Sequence, residues 1–387
     1  MKEFIPYGRQ NISEEDIDSV VKVLKSDWLT TGPNIDEFEN SLTQHSQANH
    51  CIAVCNATAA LHMAYLALGM GNGDSVWTSP NTFLSTANAA IMCGATIDFV
   101  DICPKTYNMS VDSLEQKLIA AKKTNTLPKL VVPVHFGGQS CDMQKIAELS
   151  DKYGFKIVED ASHAVGGEYQ GKPVGCCQYS SITVFSFHPV KIITTGEGGA
   201  LLTNDDSLNR KLRLLRTHGM TRDSNLMEKT SEGDWYYEMA SMGYNYRITD
   251  LQCALGTSQM KRLNKFIDER HSIANRYSDL LCDSRITLPY QHKDTRSAYH
   301  LYPVLVSSES RKQIFDYLRS YSIGVNVLYI PVHLQPYYKK LGFQKNAYPN
   351  AEHYYAQTIA LPMYCGLTES QMTYVSDKFL KAVKEFS

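Results

Sequence analysis

Apolar positions along this chain switch between two rhythms, and the switching predicts where helices and strands alternate. Ser13-Glu14-Glu15-Asp16, followed by Ile17, Val20, Val21 and Leu24, combines a capping residue, acidic residues in a first turn and apolar residues at helical spacing. It predicts an amphipathic helix that closes before the turn-forming Thr31-Gly32-Pro33. Beyond it, short apolar segments at 51–55, 75–78, 96–100, 130–135, 155–158 and 182–187 have strand length, and helix-like stretches such as 59–70 and 143–152 separate them. That alternation predicts an α/β fold around a mostly parallel central sheet.

From about residue 249 a long helical pattern runs to 281, and then the rhythm changes. Residues 299–306 read as a strand, 311–320 as a helix, 325–330 as a strand and 369–386 as a final helix. The chain is therefore expected to divide into a large α/β domain, residues 1–281, and a smaller C-terminal α+β domain, residues 282–387. The polar stretch 223–235 reads as a loop, and no repeat, low-complexity tract or long linker interrupts the order.

Composition narrows the class. At 387 residues the chain exceeds the usual length of one core, and 43% hydrophobic with 20% charged residues is ordinary for a globular protein. The net charge of -2 leaves no overall positive field for nucleic acid or an anionic membrane, so an anionic ligand needs a local site. No apolar run is long enough to cross a bilayer, and Met1-Lys2-Glu3-Phe4-Ile5-Pro6-Tyr7-Gly8 lacks a basic stretch followed by an apolar one. A soluble cytoplasmic protein is expected. The ten cysteines form no C-x-x-C pair, and several, such as Cys93, sit in apolar runs. They read as reduced core thiols, with no metal site expected, and adjacent Cys176-Cys177 cannot chelate like a spaced pair.

Five segments could carry chemistry. In Phe185-Ser186-Phe187-His188-Pro189-Val190-Lys191-Ile192-Ile193-Thr194-Thr195-Gly196-Glu197-Gly198-Gly199-Ala200, a lysine lies just beyond an apolar strand and before a glycine-rich turn. Neighbours there can depress its pKa and leave a nucleophilic amine that condenses with an aldehyde, although a lone lysine also reads as solvated. Val158-Glu159-Asp160-Ala161-Ser162-His163-Ala164 puts Asp160 at the carboxyl end of a strand, the edge where open parallel sheets bind ligands. Its carboxylate could pair with a protonated pyridine nitrogen, with His163 facing the ring; a turn cap and a core histidine are the competing readings.

The third segment, Cys55-Asn56-Ala57-Thr58-Ala59-Ala60-Leu61, joins a strand to a helix through small residues, so backbone N–H groups and the Thr58 hydroxyl can approach a phosphate. Ordinary helix capping explains it equally well. After the next strand, Phe83 in Pro80-Asn81-Thr82-Phe83-Leu84-Ser85-Thr86-Ala87-Asn88 could stack on a planar ring or belong to the core. In the fifth, Asn245 and Arg247 of Gly243-Tyr244-Asn245-Tyr246-Arg247-Ile248-Thr249-Asp250 offer polar groups suited to phosphate, or a helix cap.

Together these segments, in this order and spacing, resemble the DegT/DnrJ/EryC1/StrS family of pyridoxal-phosphate sugar aminotransferases. The resemblance covers nearly the whole chain, including Trp28-Leu29-Thr30-Thr31-Gly32-Pro33 and His300-Leu301-Tyr302-Pro303. It implies the aspartate-aminotransferase-like type I fold of PLP-dependent transferases, as a homodimer with both active sites at the subunit interface. It further implies that Lys191 forms the Schiff base with pyridoxal 5'-phosphate, that Asp160 pairs with the pyridinium and that His163 neighbours the ring hydroxyl. Thr58 and Ser186, beside Ala57 and Phe83, would hold the cofactor from one subunit, and Asn245 would reach it from the other.

The nucleotide sugar would touch Tyr7, the Asp27, Trp28, Leu29 and Thr30 segment, Ala57, Ser186, Asn245, and the turn of Pro331, Val332, His333 and Leu334. Within the family, Ile5–Gln10, Ser186–Gly199 and 325–338 bring the chain nearest to members that use L-glutamate to aminate C4 of a UDP-linked 4-keto-6-deoxy-N-acetylhexosamine. Asn81 departs from the pattern, because many relatives carry an apolar or aromatic residue beside Phe83. Other readings fare worse. A sugar dehydratase on this fold replaces the lysine by histidine, a silent binding protein need not keep Lys191 and Asp160 together, and a nicotinamide enzyme needs a G-x-G-x-x-G turn that the glycine-free Cys55–Leu61 segment lacks.

Overall fold

The structure, a computed structural model, describes residues 4–386; Met1, Lys2 and Glu3 of the amino-terminal segment, and Ser387, lie outside the described residues. Its centre is a seven-stranded sheet made of β1 (His50–Val54), β2 (Ser75–Thr78), β3 (Thr96–Phe99), β4 (Leu130–Val132), β5 (Lys156–Asp160), β6 (Ile182–Ser186) and β7 (Gly199–Thr203), in the order β1-β7-β6-β5-β4-β2-β3. Pairings from β3 through β6 are parallel, and β7 runs antiparallel to both β1 and β6. β6 and β7 are buried along their whole length, as strands covered on both faces must be, which explains their unbroken apolar runs. The expected fold class is therefore present, with one strand more than the periodicity indicated, because β7 continues directly out of the glycine-rich segment after Lys191.

Four helices on the amino-terminal side position the site. α1 (Glu14–Leu24) starts where Asp16 accepts the Ser13 N–H at 2.9 Å, the reciprocal half of a capping box. α2 (Pro33–Ser46) has proline in its first turn, and its free N–H groups are met from far along the chain: Asp250 accepts from Gly32 at 2.7 Å and from Asn34 at 3.1 Å. α3 (Ala57–Ala67), Ala-rich and apolar on nearly every side, is buried under the sheet and capped by Asn56, which accepts the Ala59 N–H at 2.9 Å. α4 (Leu84–Met92) follows Phe83.

The expected long helix at 249–281 is two helices, Asp250–Met260 and Leu263–Leu280. The chain turns at Lys261 and Arg262, where the Arg262 guanidinium bonds Asn11 Oδ1 at 2.8 Å and pairs with the buried Asp16 carboxylate. Leu263, Phe266 and Ile267 of the second helix pack into the core on the face of the sheet opposite α3, and Ile273, Ala274 and Tyr277 pack into a separate C-terminal core. That second core contains the antiparallel strands Tyr302–Leu305 and Thr358–Leu361 with helices Arg311–Ser320 and Glu369–Phe386. It also takes in Ile5, whose N–H bonds Ser322 O at 2.9 Å.

Residues 325–330 are not a strand. Only Asn326 pairs, with Ala360, on the edge of Thr358–Leu361 that Tyr302–Leu305 leaves open, and Leu328 and Tyr329 turn away to line the cavity beside the central sheet. Residues 223–235 form a loop, as expected.

Candidate active site

A cavity of about 840 Å³ opens at the carboxyl ends of β5 and β6, between the first turns of α3 and α4 and the 326–329 segment. Asp160 is the last residue of β5 and only 4% exposed. Its Oδ2 accepts the Thr86 hydroxyl at 2.6 Å and its Oδ1 the Ser162 N–H at 3.2 Å, so one face of the carboxylate is fixed and the group still borders the cavity. Lys191 lines the same space beyond β6. Burial pushes its amine down from 10.5 to about 8, against the opposing pull of the Asp160 charge.

His163 sits three residues after Asp160, buried against the rings of Phe136 and His300, the latter 4.4 Å away between centroids. Its Nδ1 accepts the Gly137 N–H at 3.3 Å and its Nε2 lies 3.0 Å from the Tyr329 hydroxyl. Burial, helped by the Lys191 charge, holds this imidazole well below its usual pKa, so it is neutral at physiological pH.

One end of the cavity is built at the start of α3. The first N–H groups of a helix have no intrahelical carbonyl, and Asn56 occupies only that of Ala59, which leaves those of Ala57 and Thr58 at the positive end of the helix dipole. Thr58 Oγ1 lies 2.7 Å from Ser85 Oγ, and Ser186 lines the wall opposite. Gly199 of β7 backs the turn so closely that a Cβ there would sit 2.7 Å from Ala57 N. Phe83 lines the cavity with 58% of its surface exposed, its centroid 6.1 Å from that of Tyr329. Asn81, the departure beside it, is buried and points away, its Nδ2 3.3 Å from Tyr107 O.

A helix start for an anion, a carboxylate at a strand end and an amine of lowered pKa thus meet in one cavity. Residues 10–380 match the profile of the DegT/DnrJ/EryC1/StrS aminotransferase family. This chain belongs to that family.

Among relatives of this DegT/DnrJ/EryC1/StrS aminotransferase, the spore coat polysaccharide biosynthesis protein SpsC of Bacillus subtilis is 40% identical, over 99% of this chain and 97% of that protein. A Campylobacter jejuni protein named UDP-4-amino-4,6-dideoxy-N-acetyl-beta-L-altrosamine transaminase is 36% identical over 98% of both chains. Among solved structures, Helicobacter pylori PseC, an aminotransferase involved in pseudoaminic acid biosynthesis, superposes with a TM-score of 0.91 at 30% identity, covering 99% of this chain and 100% of that one. The PLP-form of the sugar aminotransferase Spr1654 from Streptococcus pneumoniae gives 0.89 at 29% identity, with all of both chains covered. The fold is that of the PLP-dependent sugar aminotransferases, and pyridoxal phosphate is the cofactor of this aminotransferase.

The residues present fit that group. The α3 first turn and the Thr58 and Ser186 hydroxyls suit its phosphate, the anchored Asp160 carboxylate suits a protonated ring nitrogen, and the Lys191 amine suits its aldehyde. Tyr7 and Ala57 also line the cavity. Asn245 does not: it is exposed and pairs its backbone with Thr217. Asp27, Trp28, Leu29 and Thr30 are exposed in the turn between α1 and α2. Pro331, Val332, His333 and Leu334 form a short turn off the cavity, with Val332 N donating to Pro80 O at 2.9 Å and His333 Nε2 3.0 Å from Glu352.

Sequence reasoning missed Thr86, His300 and Tyr329 as site residues. Thr86 stands three positions beyond Phe83, the spacing that puts both on one face of a helix start, and that spacing was its available signal. His300 and Tyr329 reach the site only through the packing of the chain beyond residue 281 against the central sheet. All ten cysteines are free, and no described helix is long and apolar enough to cross a membrane.

Proposed function

We propose that this aminotransferase moves the amino group of L-glutamate onto C4 of a UDP-linked 4-keto-6-deoxy-N-acetylhexosamine. The product is UDP-4-amino-4,6-dideoxy-N-acetyl-β-L-altrosamine, an intermediate of pseudaminic acid biosynthesis. The observation that carries the aminotransfer is the Lys191 amine, lowered to about 8 in the cavity that the Asp160 carboxylate borders. The likeness to the Campylobacter and Helicobacter proteins supports the choice of sugar. The 40% identity to the Bacillus spore coat protein favours a second reading, in which the acceptor is another nucleotide-linked 4-keto sugar.

Pyridoxal phosphate, when bound, supplies an aldehyde that takes up amino groups and a pyridine ring that accepts electrons. The protein does the rest. Lys191 anchors the cofactor through its amine and, once released, is the base whose Nζ carries a proton to and from the sugar's C4. An amine near pKa 8 is neutral often enough at physiological pH to serve as nucleophile and base. Asp160, held by Thr86 and Ser162, keeps a proton on the ring nitrogen by charge. Transfer in two halves, donor first, predicts ping-pong kinetics.

The enzyme works as a homodimer. Ile17, Val21, Leu24, Trp28 and Leu29 leave an exposed apolar face along α1 and the turn after it, the kind of patch that a second subunit covers, and Asn245 of the partner subunit would complete the phosphate site. The test is incubation of purified enzyme with pyridoxal phosphate, L-glutamate and UDP-linked 4-keto-6-deoxy-L-arabino-hexosamine in its N-acetyl form. Mass spectrometry of the product and NMR of its C4 configuration follow, with Lys191→Ala as control. An altrosamine product supports the reading; no amination of this sugar moves the acceptor to another 4-keto sugar, and substantial transamination by Lys191→Ala overturns the role of Lys191.

A further inference from the structure

Tyr329 belongs to the C-terminal domain by sequence, yet its ring lies in the active cavity, stacked 23° from the plane of His163 with centroids 6.0 Å apart. The His163 hydrogen bonds are directional. Gly137 points an N–H at Nδ1, and a backbone amide can only donate, so Nδ1 holds a lone pair. A neutral imidazole has one proton, which must then be on Nε2, and Nε2 lies 3.0 Å from the Tyr329 oxygen. The ring therefore donates to Tyr329, and the phenolic proton of Tyr329 is left free to point elsewhere.

We propose that Tyr329 is the positioning residue for His163: it accepts the Nε2 proton, locks that tautomer and the orientation of the ring, and turns its own O–H into the cavity as a hydrogen-bond donor. The array runs in one direction, from the Gly137 N–H to Nδ1 and from Nε2–H to the Tyr329 oxygen, which leaves the Tyr329 O–H to point into the cavity. Donation from His163 makes that O–H a stronger donor, because hydrogen bonds in a chain polarise one another. The charged or titratable groups facing His163 are Lys191, His300 and Tyr329 itself; Lys191 opposes a second proton on the ring. Phenylalanine at 329 would keep the packing against Phe83 and Phe136 but remove the protein partner of Nε2–H.

This inference rests on the cofactor assignment and not on the keto sugar. Its test uses selectively ¹⁵N-histidine-labelled apoenzyme, with His163 assigned by comparison with His163→Gln. Wild type is expected to show a proton on Nε2, a bare Nδ1, and no titration between about pH 6 and pH 8. In Tyr329→Phe the His163 signals become a mixture of tautomers or titrate in that range, and pyridoxal phosphate, read by equilibrium dialysis, binds about tenfold more weakly. A proton on Nδ1 in wild type overturns the proposal whatever the variant does. So does a folded Tyr329→Phe protein, checked by circular dichroism, whose His163 spectrum and cofactor affinity match wild type. Failure of the sugar assay alone would leave these readouts unchanged.

Discussion

Replacing Lys191 by methionine removes the charge but keeps the length and most of the apolar stem, and the structure sets how the apoenzyme responds. Burial in the cavity lowers the amine from 10.5 to about 8, with the Asp160 attraction already included. At about 1.4 kcal/mol per tenfold, the native state disfavours the charged amine by about 3 kcal/mol relative to the unfolded chain. The sign follows from proton counts. Below pH 8 both states carry the proton and the native state bears the full penalty. Between about 8 and 10.5 the unfolded chain holds more protons than the native one, so wild-type stability rises with pH; above that range neither is charged and the penalty is gone.

Lys191→Met apoenzyme is therefore expected to be more stable than wild type by up to about 3 kcal/mol near pH 7, with the gap closing toward about pH 10.5. Urea unfolding of the two apoproteins, followed by tryptophan fluorescence at one fixed protein concentration and a series of pH values, measures it. A gap that does not change between about pH 7 and pH 10, or a methionine variant less stable at pH 7, would refute the claim that the site holds this amine at a cost to the fold.

Two further outcomes are expected. Asp160→Asn should lower turnover by several orders of magnitude, because an amide cannot hold the ring proton by charge; near-normal steady-state rates would remove Asp160 from the mechanism. Gly199→Ala should destabilise the protein by about 1–3 kcal/mol and weaken cofactor binding, since the new Cβ would meet backbone atoms of Asn56 and Ala57 at 2.7 Å and backbone cannot swing aside. Thermal unfolding and a cofactor titration check both parts, and an unchanged pair would show that the α3 turn has room to move.

The sequence is most legible where chemistry is local. Asp160 and His163 are three residues apart at one strand end, and Asn56, Ala57 and Thr58 share one turn, so strand and cap signals alone bring each set to the sheet edge. Lys191 is legible for the same reason. β7 is not, because its apolar residues follow Gly198 and Gly199 without a break, and the segment reads as the tail of a turn. Nothing near Gly32 announces that Asp250, 218 positions away, caps α2. Tyr329 and His300 become site residues only when the chain beyond residue 281 packs against the central sheet, and in the proposed homodimer the exposed Asn245 and Trp28 would face a second subunit.

The seat of Ile5 in the C-terminal core has a consequence for how the protein is made. Ile323, the bridge partner of Ile5, is synthesised about 300 residues after it, so the segment around Ile5 must wait unpaired while that stretch is made. Closing so long a loop is slow, so this pairing waits on the synthesis and packing of the segment around Ile323. A fragment cut at residue 282 would lack both Ile5 and the Ile273 to Leu281 stretch of its core, so this C-terminal unit should be expressed with the whole chain and not alone.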